Sequence, residues 1–170
     1  MKQSKNNTAL LLIDVQKGFQ DPIWGKRNNF MAEANIQLLL QCFREFSASI
    51  VHIQHLSMEP KSPLRPSQFG VEFMDGFQPK RDERVFQKMV HSAFIGTELE
   101  KHLRDQKIQF LTMVGFTSDH CVSTSARMAA DLGFDVTVVS DATVAFQRVS
   151  ITGKIFYPNL VHEVSMASLS

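Results

Sequence analysis

Two cysteines in 170 residues, Cys42 and Cys121, are too few for a disulfide framework, and that scarcity points to a reducing compartment. Charge is nearly balanced: 18 lysines and arginines against 17 aspartates and glutamates leave a net charge of +1. Such a balance gives no electrostatic reason to expect nucleic acid or an anionic membrane as a partner. No apolar run approaches the roughly 20 residues needed to span a bilayer. The opening Met1–Asn7 is polar and lacks the shape of a signal peptide. Internal repeats, low-complexity tracts and a second-domain boundary are missing as well. What remains is one domain over residues 1–170, with 44% hydrophobic residues to build a core. A soluble, cytoplasmic protein is expected.

The most informative stretch runs from Gly115 to Gly133, GFTSDHCVSTSARMAADLG. Before it, the β-rich run from Ile108 to Val114 has the continuous apolar character of a buried parallel strand. After it, Val122, Ala126, Ala129 and Ala130 recur at helical spacing, and Gly133 sits where a helix ends. The turn between them, Thr117-Ser118-Asp119-His120, is rich in N-cap chemistry. Cys121 thus falls in the first turn of a helix at the carboxyl end of a strand. Free N–H groups there favour a thiolate and can hold an oxyanion. A plain buried cysteine fits the same pattern, and the stretch alone does not decide between them.

Along the chain, Thr8 to Ile13 is an apolar run that stops at Asp14, a central strand with a carboxylate at its carboxyl end. A turn or capping aspartate is the alternative for Asp14. Gln16, Phe19, Asp21, Pro22 and Trp24 form an aromatic-rich loop. Ala32 to Phe46 has the periodicity of a helix lying on a sheet, and Cys42 is assigned to its packing. Ser49 to Leu56 is the second strand. His52 and His55 lie an odd number of residues apart, so they point to opposite faces and a shared metal is not expected. Ser57 to Asp82, with four prolines, is long enough to be a binding loop or lid. Its Phe69, Phe73, Met74 and Phe77 either wall a pocket or seal the loop onto the core.

Arg84 to Lys88 is a short strand ending in a lysine, and Thr97 and Glu100 have capping-box spacing ahead of a helix to about Gln106. Lys88 alone would be a surface charge; its place at a strand end groups it with Asp14 and Cys121. Phe134 to Val139 is a further strand closing at Ser140-Asp141-Ala142. Pro158 can start a last helix, Asn159 to Ser168, with Leu160, Val161, Val164 and Ala167 on one face and His162 at the surface or in packing. Strands alternating with helices predict an α/β fold with a largely parallel sheet.

Three separated motifs, LLLIDVQKGF, QKMVHSAFIGTELEKHL and LTMVGFTSDHCVSTSARMAADLGFDVTVVSDATVAF, closely resemble the isochorismatase-like cysteine hydrolases, over nearly the whole chain. The resemblance implies a Rossmann-like three-layer α/β/α sandwich with a mostly parallel sheet of five or six strands. It implies a catalytic triad of Asp14, Lys88 and Cys121, a cis peptide between Phe116 and Thr117, and an oxyanion hole from the N–H groups of Thr117 and Cys121. Phe19, Trp24, Phe94 and His120 are implied as substrate-binding residues. It also implies a homo-oligomer, a dimer or higher. Members usually carry another strand after the last helix, so either the sheet here is one strand short or a partner subunit covers its edge.

The chemistry implied is hydrolysis of a C–N bond in a small amide, ureide or carbamoyl compound, through a thioester on Cys121. Lys88 would lower the thiol pKa and Asp14 would accept its proton. The Asp-x-His metal sequence of nicotinamidases is missing from the VHIQHLSMEPKSPL segment, so neither a metal nor another cofactor is expected. Isochorismatase-type hydrolysis, a catalytically idle binding scaffold and a redox-active thiol remain as alternatives.

Overall fold

The computed structural model describes residues 7–170; the polar opening read above lies, up to residue 6, outside the described residues. Five strands, β1 (Thr8–Ile13), β2 (Ser49–His55), β3 (Arg84–Lys88), β4 (Phe110–Phe116) and β5 (Asp135–Val144), form one sheet in the order β3-β2-β1-β4-β5. Every pairing in it is parallel. A parallel sheet needs cover on both faces, and two apolar layers supply it. Ala9, Leu11, Ile13, Val51 and Ile53 pack with residues of α2 (Leu99–Asp105) and α3 (Ser123–Asp131). Leu10, Leu12 and Ile50, on the other face, pack with Ile36 and Leu40 of α1 (Ala32–Glu45). The result is the expected three-layer α/β/α sandwich, with five strands.

The chain runs outward from β1 through β2 to β3, then returns to place β4 on the other side of β1. Strand order therefore reverses between β1 and β4, and a crevice opens there at the carboxyl ends of the strands. Gly115 makes the approach possible. At φ +117°, its added Cβ would lie 2.0 Å from the Ile13 carbonyl oxygen, so only glycine fits where β4 passes the end of β1. The β4–β5 register shifts at this point, between Met113 and Gly115.

Several expectations need correction. Cys42 is exposed rather than packed, because six residues on from buried Ile36 the helix has turned about 240° away from the sheet. The Thr97–Glu100 capping box does not form. Thr97 Oγ1 donates to the Ala93 carbonyl and accepts the Leu99 N–H, and Glu98 precedes the helix without a side-chain cap. β5 runs on to Val144, past the expected stop at Ser140, because the register shift lets Thr143 and Val144 pair with Gly115 and Phe116. A small antiparallel hairpin, β6 (Arg148–Val149) and β7 (Ile155–Phe156), was not foreseen. The last helix, α4 (Pro158–Ala167), leaves Leu160 and Val164 largely exposed.

Candidate active site

Asp14, Lys88 and Cys121 come from β1, β3 and the turn after β4, 74 and 33 residues apart in pairs, and they meet. Lys88 Nζ donates to Asp14 Oδ2 at 2.8 Å and to Cys121 Sγ at 3.1 Å. It also lies 3.1 Å from His55 Nδ1 and 3.2 Å from the Val90 carbonyl. All three side chains are buried, Asp14 completely. The fold supplies each position. Asp14 sits in left-handed backbone, φ 53°, as the chain turns off β1, and its N–H bonds to the Ile53 carbonyl. Lys88 pairs in register with His55 across β3 and β2, which explains why an imidazole lies beside the ammonium.

Cys121 stands in a wide helical turn, Ser118–Val122, which feeds directly into α3. The peptide between Phe116 and Thr117 is cis. The next turn is tied to α4 by His162, whose Nδ1 lies 3.2 Å from Ser118 Oγ and whose Nε2 lies 3.0 Å from Ser140 Oγ. His162 is therefore a bridge rather than a loose surface residue.

The electrostatics are those of a buried ion pair beside a neutral thiol. Burial pulls the Lys88 ammonium down, but Asp14 and Cys121 outweigh it and hold the group above its usual range. For Cys121 the balance runs the other way. Burial first, then the neighbouring Asp14 carboxylate, push the thiol well up, and the opposing pull of Lys88 does not compensate. Lys88 thus pulls the thiol down, but by less than burial and Asp14 push it up. Burial and the Lys88 charge hold His55 down at about 4, so it is neutral. The ammonium has no lone pair, so His55 Nδ1 accepts and the ring proton resides on Nε2. Asp14 Oδ1 is buried with no hydrogen-bond partner.

A cavity of about 360 Å³ opens onto Cys121. Phe19, Trp24 and His120 line it, as expected, together with Thr117, Leu64 and His91. Phe94 does not; it is buried in the layer beside α2 and stacks toward Phe134, with centroids 6.2 Å apart. The aromatic wall is held rigidly, since Phe19 stacks on Phe116 at 5.1 Å and the Trp24 indole donates to the Gly18 carbonyl. Gln16 clamps the rim: its side chain accepts the His55 N–H and donates to the His55 and Val71 carbonyls. At the outer edge, Arg148 makes two hydrogen bonds to Asp119. Burial opposes ionisation of Asp119, but the guanidinium prevails and holds its carboxyl below the usual range.

Of the long connection, residues 57–64 contribute to the cavity wall, while Met74 and Phe77 are buried against the α1 layer. Phe73 packs edge-on to His52, and Phe69 is exposed. Those four side chains therefore seal the loop or face solvent and do not wall the pocket. His52 and His55 do face opposite ways: His52 lies against Glu83 on the α1 side, and His55 lies in the site. Sequence reasoning missed His55 and His91 as site neighbours. The place of His55 at the carboxyl end of its strand, as with Lys88, was the available signal; His91, in an irregular segment, offered none. A larger groove, about 560 Å³, lies at the amino ends of β2 and β3 and shares no residue with this cavity.

Comparison with known proteins shows the family of the chain. A family model described as the isochorismatase domain matches residues 8–153. The isochorismatase family protein YrdC of Bacillus subtilis is 40% identical over 95% of this chain and 86% of its own length. The crystal structure of an isochorismatase-family protein from Chromobacterium violaceum superposes with a TM-score of 0.92 at 37% identity, covering 100% of this chain and 88% of that one. A more distant relative, the streptothricin hydrolase of Streptomyces noursei, is 29% identical over 81% of this chain and 54% of its own.

Proposed function

Since the chain belongs to the isochorismatase family of hydrolases, we propose that it cleaves the C–N bond of a small amide, ureide or carbamoyl compound through a thioester on Cys121. The observation that carries this reading is the single contact set of Lys88 Nζ with Asp14 Oδ2 and Cys121 Sγ, buried directly behind a cysteine that lines the cavity. A partial relative named as a ureidoacrylate amidohydrolase, from Caulobacter segnis, 30% identical over 47% of this chain and 34% of its own length, supports a C–N substrate class.

A thiol that stays protonated at rest has to lose its proton as it attacks. Asp14 is the acceptor: Lys88 holds Oδ2, and Oδ1 has no partner. The sulfur–carbon bond forms while the carbonyl electrons move to oxygen and the thiol proton moves to Asp14. The N–H groups of Thr117 and Cys121 receive the oxyanion. Collapse breaks the C–N bond, and Asp14 returns its proton to the departing nitrogen. Water then attacks the thioester with Asp14 as base, which frees the acid and restores the thiol. Lys88 stays charged throughout and limits the cost of negative charge moving between sulfur and carboxylate.

Phe19 and Trp24 would hold the apolar part of the substrate, and His120 would sit at its polar end. We also place the protein in a reducing compartment, as both cysteines are free. We assign it a homo-oligomeric state, supported by the apolar Leu160 and Val164 left exposed on α4. Gel filtration at dilute protein giving a stable monomer would overturn that assignment. The catalytic reading is tested by screening small amides, ureides and N-carbamoyl compounds for ammonia release. Wild type is expected to turn over at least one compound that Cys121→Ala does not, and equal turnover by both would sink the mechanism.

A further inference from the structure

Four acceptors surround the Lys88 ammonium: Asp14 Oδ2 at 2.8 Å, Cys121 Sγ and His55 Nδ1 at 3.1 Å each, and the Val90 carbonyl at 3.2 Å. The group has three N–H bonds to give. One acceptor is always short of a proton, and the shares follow acceptor strength. The Asp14 carboxylate, charged and nearest, keeps a full hydrogen bond. A thiol sulfur is a weak acceptor, so at rest the two neutral acceptors, His55 Nδ1 and the Val90 carbonyl, take most of the remainder.

The shares change when Cys121 loses its proton. A thiolate is a charged acceptor and draws a full N–H from the ammonium. His55 and Val90 then have one N–H between them. Val90 offers a main-chain carbonyl, whereas His55 is a side chain, paired in register with Lys88 across β2 and β3 and lining the cavity. Water or a substrate N–H reaching it from the cavity can satisfy the nitrogen that the ammonium leaves. The imidazole is held down at about 4, by burial first and then by the Lys88 charge, so it stays a neutral acceptor at ordinary pH.

We propose that His55 is a positioning residue that competes with Cys121 for the Lys88 ammonium: it holds an N–H in the resting protein and yields it to sulfur as the thiolate forms. His55 makes and breaks no covalent bond, and no proton leaves Lys88; only the direction of one N–H changes. The effect is a brake on the resting thiol, released as the thiol proton moves to Asp14. Its place in a catalytic cycle rests on the reading of Cys121 as the nucleophile; the competition itself does not.

Iodoacetamide alkylation of Cys121 in the full chain tests it, in a Cys42→Ser background and without any substrate. His55→Phe keeps a ring of similar size and removes the acceptor, so the N–H is free for sulfur before the thiol ionises. The gain is one neutral hydrogen bond, about 5-fold in thiolate at about 1.4 kcal/mol per decade, trimmed by the lower nucleophilicity of a more acidic thiol. Alkylation about 2- to 5-fold faster is therefore expected from about pH 6 to about pH 10. His55→Leu lacks the acceptor too and should match it, so the test survives if one of the two misfolds. His55→Asn puts an amide oxygen near the place of Nδ1 and should bring the rate back toward wild type. In Lys88→Met there is no ammonium to compete for, and His55→Phe should add nothing there. An unchanged or slower rate in His55→Phe or His55→Leu that is folded by circular dichroism overturns the proposal. So does equal acceleration in His55→Asn or in the Lys88→Met background, which reports cavity access instead. Failure of every substrate to turn over would sink the hydrolase reading and leave this result standing, whereas wild-type alkylation in both acceptor-free variants would sink the competition alone.

Discussion

Replacing Lys88 by methionine keeps most of the side-chain volume and removes the ammonium. Its Nζ is 3.1 Å from Cys121 Sγ, so with an effective dielectric of about 20 the attraction for a thiolate is on the order of 5 kcal/mol. At about 1.4 kcal/mol per decade, that bounds the loss of thiolate at between three and four decades. Relaxation and water entry around the vacated ammonium site trim the figure, and a fall of at least about 100-fold is expected. The assay is iodoacetamide alkylation of Cys121 in a Cys42→Ser background, from about pH 6 to about pH 10, a range that brackets free thiol ionisation. The same substitution strands a fully buried carboxylate, a loss of about 3–5 kcal/mol of stability. Urea unfolding must therefore accompany the rates, and Asp14→Asn/Lys88→Met should recover much of that loss. Alkylation of folded Lys88→Met with the wild-type pH profile would refute the electrostatic account of the site.

Asp14→Asn should act on the thiol with the opposite sign. The carboxylate is the second cause, after burial, of the raised Cys121 pKa, so alkylation should speed up while substrate turnover falls by at least about 100-fold, the lower bound of the general-base range. Wild-type stability should decline as pH rises above about 8.5, where the unfolded thiol ionises and the native one stays protonated. Cys121→Ser should flatten that alkaline limb in urea titrations. Burial raises the Glu83 carboxyl, but Arg44, the Lys80 N–H and His52 prevail and hold it at about 2. Its contribution is thus present above the usual carboxylate pKa and is lost as pH falls toward 2, and Glu83→Gln should lower stability near neutrality and weaken the acid dependence. Gly115→Ala should cost more than about 3 kcal/mol or prevent folding, because the added methyl meets the Ile13 carbonyl carbon and oxygen at a positive φ.

The sheet and its active rim were legible because each signal was local and strong. The apolar runs ending at Asp14 and before Gly115 are what a parallel strand covered on both faces requires, and strand ends are where such sheets gather their chemistry. Alternation also separated His52 from His55 correctly. It could not say that the register of β3 on β2 would bring His55 beside Lys88, because register is set by the whole sheet. Cys42 was misread for a related reason. A helix this amphipathic buries a narrow stripe, Ala32, Ile36 and Leu40, and an apolar residue off that stripe is left in solvent. Thr97 has capping-box spacing, but its hydroxyl bonds to the Ala93 carbonyl, a tertiary choice that spacing does not encode. Phe94 belonged to the right motif and the wrong side of it, filling the core against Phe134. The β6–β7 hairpin carries only two residues per strand, too few for any periodicity.

The account rests on sulfur–carbon bond formation at Cys121, and acid-quenched mass spectrometry during steady turnover reads that bond directly. With a substrate identified by ammonia release, a fraction of the wild-type protein should carry the acyl mass on the peptide containing Cys121, labile to hydroxylamine, and Cys121→Ala should carry none. Full turnover with no acyl adduct, or the same adduct and rate in Cys121→Ala, would contradict it.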